Sequence, residues 1–533
     1  MHQSDVSINA SKWHKEIWQH YVVYSPDPVF IDFLKQQLAL IAKGDPLKIG
    51  FSSYYKPFAC LIIHTVTNEY FLVRDHFGME PFYYSLISKD QFRLCFGSNL
   101  PDVLVHLKNP TQDRQEIIKI MTDMCNSSAQ YSDQTLYEHV FRVTPGEIIS
   151  IRFAHKAKVQ HHPYWSLKPG TSRIRYACDA DYDAHFSFLL QEALAVSCEQ
   201  APTKTALEFS GGIDSSVLLT ALHAQKKTTQ LFMHVGDNTE ERHYGDSLLQ
   251  EIKSDYPIHY VDADTFDIAT VLNQYKLWFA GGAPYTFFMF ANNIHQAIKQ
   301  KGCQILLSGF GGDECVSSHA SLRTYGAEIG YKALWNELKL INKKESIIRR
   351  GLKTLAFSQP QLLLALQLIQ SHASLQDNKK TRLIYKPYRS LQEKEYDKLQ
   401  GNLSYHVRMR IEYSAIVARN MGFTYQYPLL YPPLVEFCFS LPSNQKRRQG
   451  QNRLLMRRYL ANHLPSGLYN THKKCGEILP GTLPKSNNLY SQGQLASLLT
   501  DLPHTHIHDH LLKKGILTPD NKFHVDLFRY MLK

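Results

Sequence analysis

The chain has 533 residues, of which 44% are hydrophobic and 20% charged, the composition of a soluble globular protein with two or more domains. No stretch approaches the ~20 uninterrupted apolar residues of a membrane span, and the first residues lack the apolar core of a signal peptide. The net charge of +11 comes from small, scattered basic clusters without a nucleic-acid-binding pattern, so nucleic acid is not an expected partner. Nine scattered cysteines without a C-x-x-C pair favour the reducing cytoplasm as location and provide no zinc site.

The first predicted domain covers residues 1–200 and is an α+β domain rich in short strands. Apolar or alternating runs predict strands at 58–63 and 92–96, and a further strand follows the Pro-Gly turn at 145–146. The sequence T-N-E-Y-F-L-V-R-D-H-F-G-M-E-P-F-Y-Y at 67–84 predicts two strands around an R-D-H-F-G corner.

The second predicted domain covers residues 201–533, where strands and helices alternate. Strands are predicted at 205–209, 231–235, 258–261 and 305–307, with helices over about 240–253, 361–369 and 453–460. This alternation predicts an α/β fold with a doubly wound parallel sheet. In such a sheet the ligand lies at the carboxyl ends of the strands.

The strongest candidate binding site is the sequence T-A-L-E-F-S-G-G-I-D-S-S at 205–216, which joins the first of these strands to a helix. Two adjacent glycines let the backbone approach a ligand, and the amides and hydroxyls at the helix N-terminus suit a phosphate. Asp214 would repel phosphate unless a cation lies between them, so Mg²⁺ is its natural ligand. The pattern lacks the lysine of G-x-x-x-x-G-K-[ST] and is typical of enzymes that cleave ATP between the α and β phosphates; an ordinary turn is the alternative. The predicted ATP contacts here are Ser210, Gly211, Gly212, Asp214, Ser215 and Ser216.

A second loop, S-G-F-G-G-D-E at 308–314, follows the fourth predicted strand of this domain in the same way. Because loops after parallel strands lie along one edge of the sheet, Asp214 and Asp313 could share one Mg²⁺. The loop also adds two predicted ATP contacts, Gly311 and Gly312. ATP and Mg²⁺ are therefore the expected cofactors.

These features together resemble the asparagine synthetase family of AMP-forming amide ligases, which includes β-lactam synthetases and lasso-peptide cyclases. The corner at 74–84 is similar to the family's R-D-x-x-G-x-x-P-L-Y-Y, and G-F-T-Y-Q-Y-P-L-L-Y-P-P-L-V-E-F at 422–437 is similar to a C-terminal segment of the family. The resemblance covers nearly the whole chain. It implies a synthetase domain of the PP-loop type at 201–533, preceded by a glutaminase-like domain of the Ntn type (class II glutamine amidotransferase-like) at 1–200.

The sequence departs from the family pattern at three places. Glutamine-hydrolysing members expose an N-terminal cysteine, but residue 2 here is His2 and the first cysteine is Cys60. The first domain is therefore expected to be inactive as a glutaminase, unless the start of the chain is wrongly assigned. Phe310 takes the position of a glutamate in asparagine synthetases and of a tyrosine in β-lactam synthetases, and Tyr431 takes that of an aspartate.

The resemblance implies that Mg-ATP adenylates a carboxylate with release of pyrophosphate, and that an amine or ammonia then attacks. It places Lys473, where the family has R-x-K, beside the departing pyrophosphate. It places Glu412 where β-lactam synthetases have a glutamate that assists the amine, as a base or as an orienting group. Each catalytic candidate also has a simpler alternative. Glu412 would be an acid ion-paired with Arg408 or Arg410. Lys473 would be a solvated lysine, and Lys474 would then be the candidate in its place.

The leading hypothesis is thus an AMP-forming carbon–nitrogen ligase acting on a small-molecule or peptide carboxylate. Within it, a lasso-peptide or other macrolactam cyclase fits the missing cysteine and Phe310 better than asparagine synthesis from aspartate does. A leader peptide or a partner protein would then be a further partner, and no membrane is involved. Two other classes remain open: a PP-loop tRNA-modifying enzyme, with Cys315 as a lone candidate thiol, and a non-catalytic scaffold.

Overall fold

The computed structural model contains a strand-rich N-terminal domain followed by a parallel α/β domain, as the sequence predicts. The structure describes residues 5–8, 13–40, 50–88, 92–113, 115–117, 132–153, 157–167, 173–235, 239–253, 255–262, 268–280, 287–317, 322–340, 405–464 and 466–469. The predicted helix at 361–369 lies outside these residues. Among the described helices, none has both the length and the apolar character that crossing a membrane requires.

The described residues of the N-terminal domain form two β-sheets. Their strands are β1 (Asp5–Ile8), β2 (His14–Trp18), β3 (Tyr21–Ser25), β4 (Ala59–His64), β5 (Glu69–Arg74), β6 (Tyr83–Ser88), β7 (Phe92–Gly97), β8 (Val140–Arg142), β9 (Glu147–Phe153) and β10 (Ala157–Pro163). One sheet has the order β10-β9-β5-β4-β3-β2 and is antiparallel, and the other has the order β1-β7-β6-β8.

The uninterrupted apolar run of β4 is explained by burial on both of its faces. Successive side chains of a strand point to opposite sides. Leu61 therefore packs between the two sheets, whereas its neighbours Cys60 and Ile62 pack against the helix Pro28–Leu40 on the outer side. The larger sheet is thus an inner layer, with a helix on one face and the smaller sheet on the other.

In the described part of the C-terminal domain, five parallel strands form one sheet. They are β11 (Thr205–Glu208), β12 (Gln230–Val235), β13 (Ile258–Asp262), β14 (Ile305–Leu307) and β15 (Thr424–Gln426), in the order β13-β12-β11-β14-β15. The chain builds outward from β11 to β13 and then returns to add β14 on the opposite side of β11. The order therefore reverses between β11 and β14, which is the place where ligands bind in open α/β sheets.

Helices cover both faces of this sheet. The described helices of the C-terminal half are Asp179–Cys198, Ile213–Ala224, Thr239–Glu251, Ile268–Phe279, Phe287–Gln300, Leu322–Ile329, Tyr331–Leu340, Tyr405–Met421, Pro432–Ser440, Ser443–Lys446 and Leu454–His463. Side chains alternate between two cores, with Leu207 of β11 in one and Ala206 in the other. The sheet is doubly wound, as predicted.

The two domains share one of these cores. Tyr83, Cys95 and Val140 on the smaller N-terminal sheet belong to the same apolar cluster as residues of the helices Ile268–Phe279 and Tyr405–Met421. The N-terminal domain is thus packed directly against the face of the C-terminal domain that carries these two helices. Contacts across this interface hold the helix Tyr405–Met421 in position.

Candidate active site

The two glycine loops meet at the point where the strand order reverses. β11 pairs with β14 in parallel register, Ala206 opposite Leu306, so both strands end at the same edge. The loops touch so closely that a Cβ atom at Gly312 would lie 2.4 Å from Cγ of Asp214. Glycine at position 312 is therefore required by the approach of the Asp214 side chain.

The backbone of the first loop is held in a tight turn before the helix Ile213–Ala224. Gly211 has φ +79°, a conformation that favours glycine, and Gly212 is the residue before the helix. The hydroxyl of Ser215 donates to the carbonyl of Gly212 (3.1 Å) and accepts from the amide of Ser210 (3.3 Å). The predicted ATP contacts of this loop thus surround the N-terminus of a helix, a place suited to phosphate.

A tyrosine that sequence reasoning missed holds the underside of this loop. The hydroxyl of Tyr469 donates to the carbonyl of Gly211 (3.1 Å) and accepts from Ser216 Oγ (2.6 Å), and both side chains are buried. Arg457 donates to the carbonyl of Tyr469. The only signal in the sequence is that Tyr469 precedes the predicted Lys473 by four residues; Lys473 itself lies outside the described residues.

Arg453 joins the two acids that the sequence assigns to Mg²⁺. One end of its guanidinium lies 3.3 Å from Asp214 Oδ2 and 3.4 Å from Oδ1, and the other end forms an ion pair with Asp313. Arg453 is 8% exposed and has φ +57°, immediately before the helix Leu454–His463. Sequence reasoning missed this residue, because nothing in the local pattern marks a left-handed arginine.

The donor set fits a magnesium ion that arrives with phosphate. Asp214 and Asp313 offer carboxylate oxygens, the ligands that Mg²⁺ prefers, on adjoining loops. No group of three or more histidine, cysteine, aspartate or glutamate side chains within the described ranges could hold a metal by itself. Mg²⁺ usually keeps waters and takes one or two carboxylates together with substrate phosphates, which matches these two aspartates.

Glu412 lies at the domain interface and is fully buried. Its carboxylate accepts hydrogen bonds from the Tyr83 hydroxyl (2.5 Å), Arg142 Nε (2.9 Å) and Arg74 Nη2 (3.0 Å). Burial alone raises the pKa of Glu412, but Arg142 and Arg74 outweigh burial and hold that pKa at about 2. Such a carboxylate is a weak base, which favours an ion-paired role, here with Arg74 and Arg142 of the N-terminal domain. A part in the reaction stays a prediction.

Arg74 connects this glutamate to the corner that carries the family resemblance. Its guanidinium also donates to three backbone carbonyls, those of Glu80 (2.8 Å), Val143 (3.0 Å) and Gly78 (2.8 Å). The R-D-H-F-G corner is therefore folded around Arg74, and the guanidinium of Arg74 also forms an ion pair with Glu412. In this arrangement the corner serves as part of the domain interface.

Phe310, the residue at the variable position of the second loop, lies under an arginine. The guanidinium carbon of Arg410 is 4.1 Å from the centre of the Phe310 ring, a cation–π contact, and Tyr427 meets the ring edge-on at 5.8 Å. Arg410 and Glu412 lie two residues apart on one helix, so they point in different directions. Arg410 of this helix thus reaches the second loop.

Three other residues singled out from the sequence, Tyr431, Cys60 and Cys315, are buried. Tyr431 meets Tyr55 of the N-terminal domain, and burial with the nearby Glu192 raises its pKa to about 12. Cys60 lies inside β4, and Cys315 in a short π-helical turn (Gly312–Val316) after the second loop. Burial raises the pKa of both thiols well above the usual range, so both stay protonated and unreactive.

Comparison with known families agrees with this architecture. Residues 185–502 match the family model described as asparagine synthase, which is more than half of the chain, and residues 53–165 match the model of a glutamine amidotransferase domain. No individual curated protein matches the chain.

Proposed function

The chain belongs to the asparagine synthase family, and from that premise we propose that it is an ATP-dependent ligase that joins a carboxylate to an amine and releases AMP and pyrophosphate. The observation that carries the proposal is the meeting of two glycine loops at the switch point of the sheet, with Asp214 and Asp313 bridged by one arginine. A phosphate-binding helix end beside two carboxylates suits a magnesium–polyphosphate complex.

The site has two tasks, which are to bind ATP and to neutralise the charge of the departing pyrophosphate. ATP supplies the AMP that activates the carboxylate, and Mg²⁺ supplies positive charge for the departing pyrophosphate. Ser210, Gly211 and Ser215 would present the helix end to the phosphates, and Asp214 and Asp313 would hold the metal. A carboxylate is already a nucleophile at neutral pH, so activation needs positioning and charge rather than a base. Lys473 is proposed to stabilise the same departing charge.

For the substrate we propose a carboxylate whose amine partner does not come from glutamine. Cys60, a protonated thiol inside β4, cannot act as a nucleophile. Phe310, stacked under Arg410, offers no carboxylate at the position where asparagine synthetases have a glutamate. A peptide macrolactam, as in lasso-peptide cyclases, fits both observations better than asparagine formation from aspartate. A leader peptide or partner protein is the proposed companion of such a substrate, and the cytoplasm the proposed location.

The alternative of a tRNA-thiolating enzyme is disfavoured by one specific observation. Sulfur transfer needs a thiolate, and the lone candidate, Cys315, is buried with a pKa well above the usual range. We therefore retain tRNA modification only as an outcome of the test.

The test is exchange of labelled pyrophosphate into ATP with Mg²⁺, over a panel of acids that contains aspartate and short acidic peptides. Exchange with one class of acid, reduced at least 100-fold in Asp214→Asn, is the expected result. The matched control is Asp183→Asn, because Asp183 is also paired with an arginine, Arg458 (2.7 Å), but lies on the helix Asp179–Cys198. Exchange that persists in Asp214→Asn, or that requires tRNA, would contradict the proposal.

A further inference from the structure

Arg453 stands where the shared metal of Asp214 and Asp313 is expected. The two acids come from loops about a hundred residues apart in the chain, yet one guanidinium contacts both. Its fork has two ends, and each carboxylate takes one of them. Arg453 is also nearly enclosed, at 8% exposure, so its charge has few alternatives to these partners.

Charge explains why a cation is needed at this position before any nucleotide binds. Two carboxylates on touching loops repel one another, and the helix N-terminus next to Asp214 supplies only a partial positive charge. With Arg453 included, the cluster of three side chains keeps one net negative charge. It is therefore stable without a metal and still attracts a divalent cation.

The contact between Arg453 and Asp214 is suited to exchange. The distances from Arg453 Nη1 to the two carboxylate oxygens, 3.3 and 3.4 Å, are longer than the 2.7–2.9 Å of a strong charged hydrogen bond. The residue lies in the left-handed region, at φ +57°, between the two-residue strand Gln451–Asn452 and the helix Leu454–His463. A non-glycine residue in that conformation is uncommon and is held there by its surroundings.

We propose that Arg453 is an internal cation that takes the place of the metal in the nucleotide-free protein and binds the phosphates once the metal arrives. Asp214 and Asp313 would then hold the metal, and the guanidinium of Arg453 would be free to bind pyrophosphate, for which its fork is well shaped. The inference rests on the proposed function, since it assigns Arg453 to the same polyphosphate site.

The first experiment measures Mn²⁺ binding to the nucleotide-free protein, from the electron paramagnetic resonance signal of free Mn²⁺. In Arg453→Gln the competing cation is gone, so Mn²⁺ affinity should rise at least fivefold over the wild type. The matched control is Arg458→Gln on the adjoining helix, because Arg458 also pairs with two aspartates, Asp183 and Asp179, outside the loops. Its Mn²⁺ affinity should equal that of the wild type.

The second experiment measures binding of pyrophosphate in the presence of Mg²⁺ by calorimetry. Arg453→Gln should bind pyrophosphate at least tenfold more weakly, and Arg458→Gln should bind it normally. Unchanged or weaker Mn²⁺ binding in Arg453→Gln would overturn the internal cation. Tighter Mn²⁺ binding with unchanged pyrophosphate affinity would overturn the transfer to phosphate.

Two further measurements distinguish a wrong assignment of Arg453 from a folding defect and from a failure of the proposed function. If Arg453→Gln loses its circular dichroism spectrum, Arg453→Lys replaces it. An ammonium is a point charge without the two-ended fork that spans both acids, so Mn²⁺ should bind at least twofold tighter. No change in Mn²⁺ affinity would overturn the inference. If no acid supports pyrophosphate exchange while Mn²⁺ binding rises as stated, the ligase proposal fails and the internal cation stands.

Discussion

Replacing Glu412 with glutamine should destabilise the protein substantially, because the substitution leaves two buried arginines without their counter-charge. Glu412 is fully buried and holds Arg74, Arg142 and the Tyr83 hydroxyl. Its pKa falls from 4.5 to about 2 in the folded protein, and at about 1.4 kcal/mol per pKa unit this corresponds to about 3 kcal/mol of stability at pH 7. Breaking a buried ion pair by removing one partner typically costs about 3–5 kcal/mol, in agreement.

The same pKa shift fixes the direction of the pH dependence. A carboxyl group whose pKa is lowered by folding stabilises the folded state above its unfolded pKa, here 4.5. That stability is lost as the pH falls from 4.5 towards 2. The difference in the free energy of unfolding between wild type and Glu412→Gln should therefore be smaller at pH 3.5 than at pH 7 by about 1.4 kcal/mol.

Urea-induced unfolding of both proteins at the two pH values measures these free energies of unfolding. The comparison requires that the free energy depends on urea concentration with the same slope in both proteins. The control is Glu436→Gln, which also removes a glutamate that contacts the N-terminal domain. Glu436 is exposed and accepts a single hydrogen bond from Trp165 Nε1 (2.7 Å), so its loss should cost at most about 1 kcal/mol. A Glu412→Gln protein within about 1 kcal/mol of the wild type at pH 7 would refute the reasoning about the buried charges.

Two further substitutions test the loops. Gly312→Ala would bring a Cβ atom to 2.4 Å from Asp214 Cγ, so pyrophosphate exchange should fall at least 100-fold. The control is Gly302→Ala, because Gly302 has φ +67° but open space around it. That substitution should cost only about 1 kcal/mol of stability and leave exchange unchanged. Equal exchange in both would contradict the close approach of the loops. Tyr469→Phe removes the hydroxyl between Ser216 and Gly211 and should weaken ATP binding about tenfold in a nucleotide titration. An unchanged affinity would mean that this hydroxyl does not shape the loop.

The parallel sheet and the meeting of its loops could be predicted from the sequence because they follow from local patterns. Apolar runs of strand length mark β11 to β14, and in a parallel sheet the residues after such runs share an edge. Asp214 and Asp313 could thus be paired from the amino-acid sequence alone. The strand β15, Thr424–Gln426, was missed because T-Y-Q is not an apolar run, unlike I-L-L of the equally short β14.

The partners of the charged residues could not be predicted, because they are far away in the chain. Glu412 is 338 residues from Arg74 and 270 from Arg142, and the helix pattern around it suggested only its neighbours on the same helix. The place of Arg453 depends on a left-handed backbone conformation that leaves no trace in composition or spacing. Such pairings are decided by how distant segments of the chain pack together.

The most direct test of the ligase proposal is the identity of the nucleotide products with an acid that supports exchange. With the carboxylate labelled with ¹⁸O and the amine supplied, the ligase should release AMP and pyrophosphate, with one labelled oxygen transferred to the phosphate of AMP. ADP and inorganic phosphate, with the label in the phosphate, would contradict it.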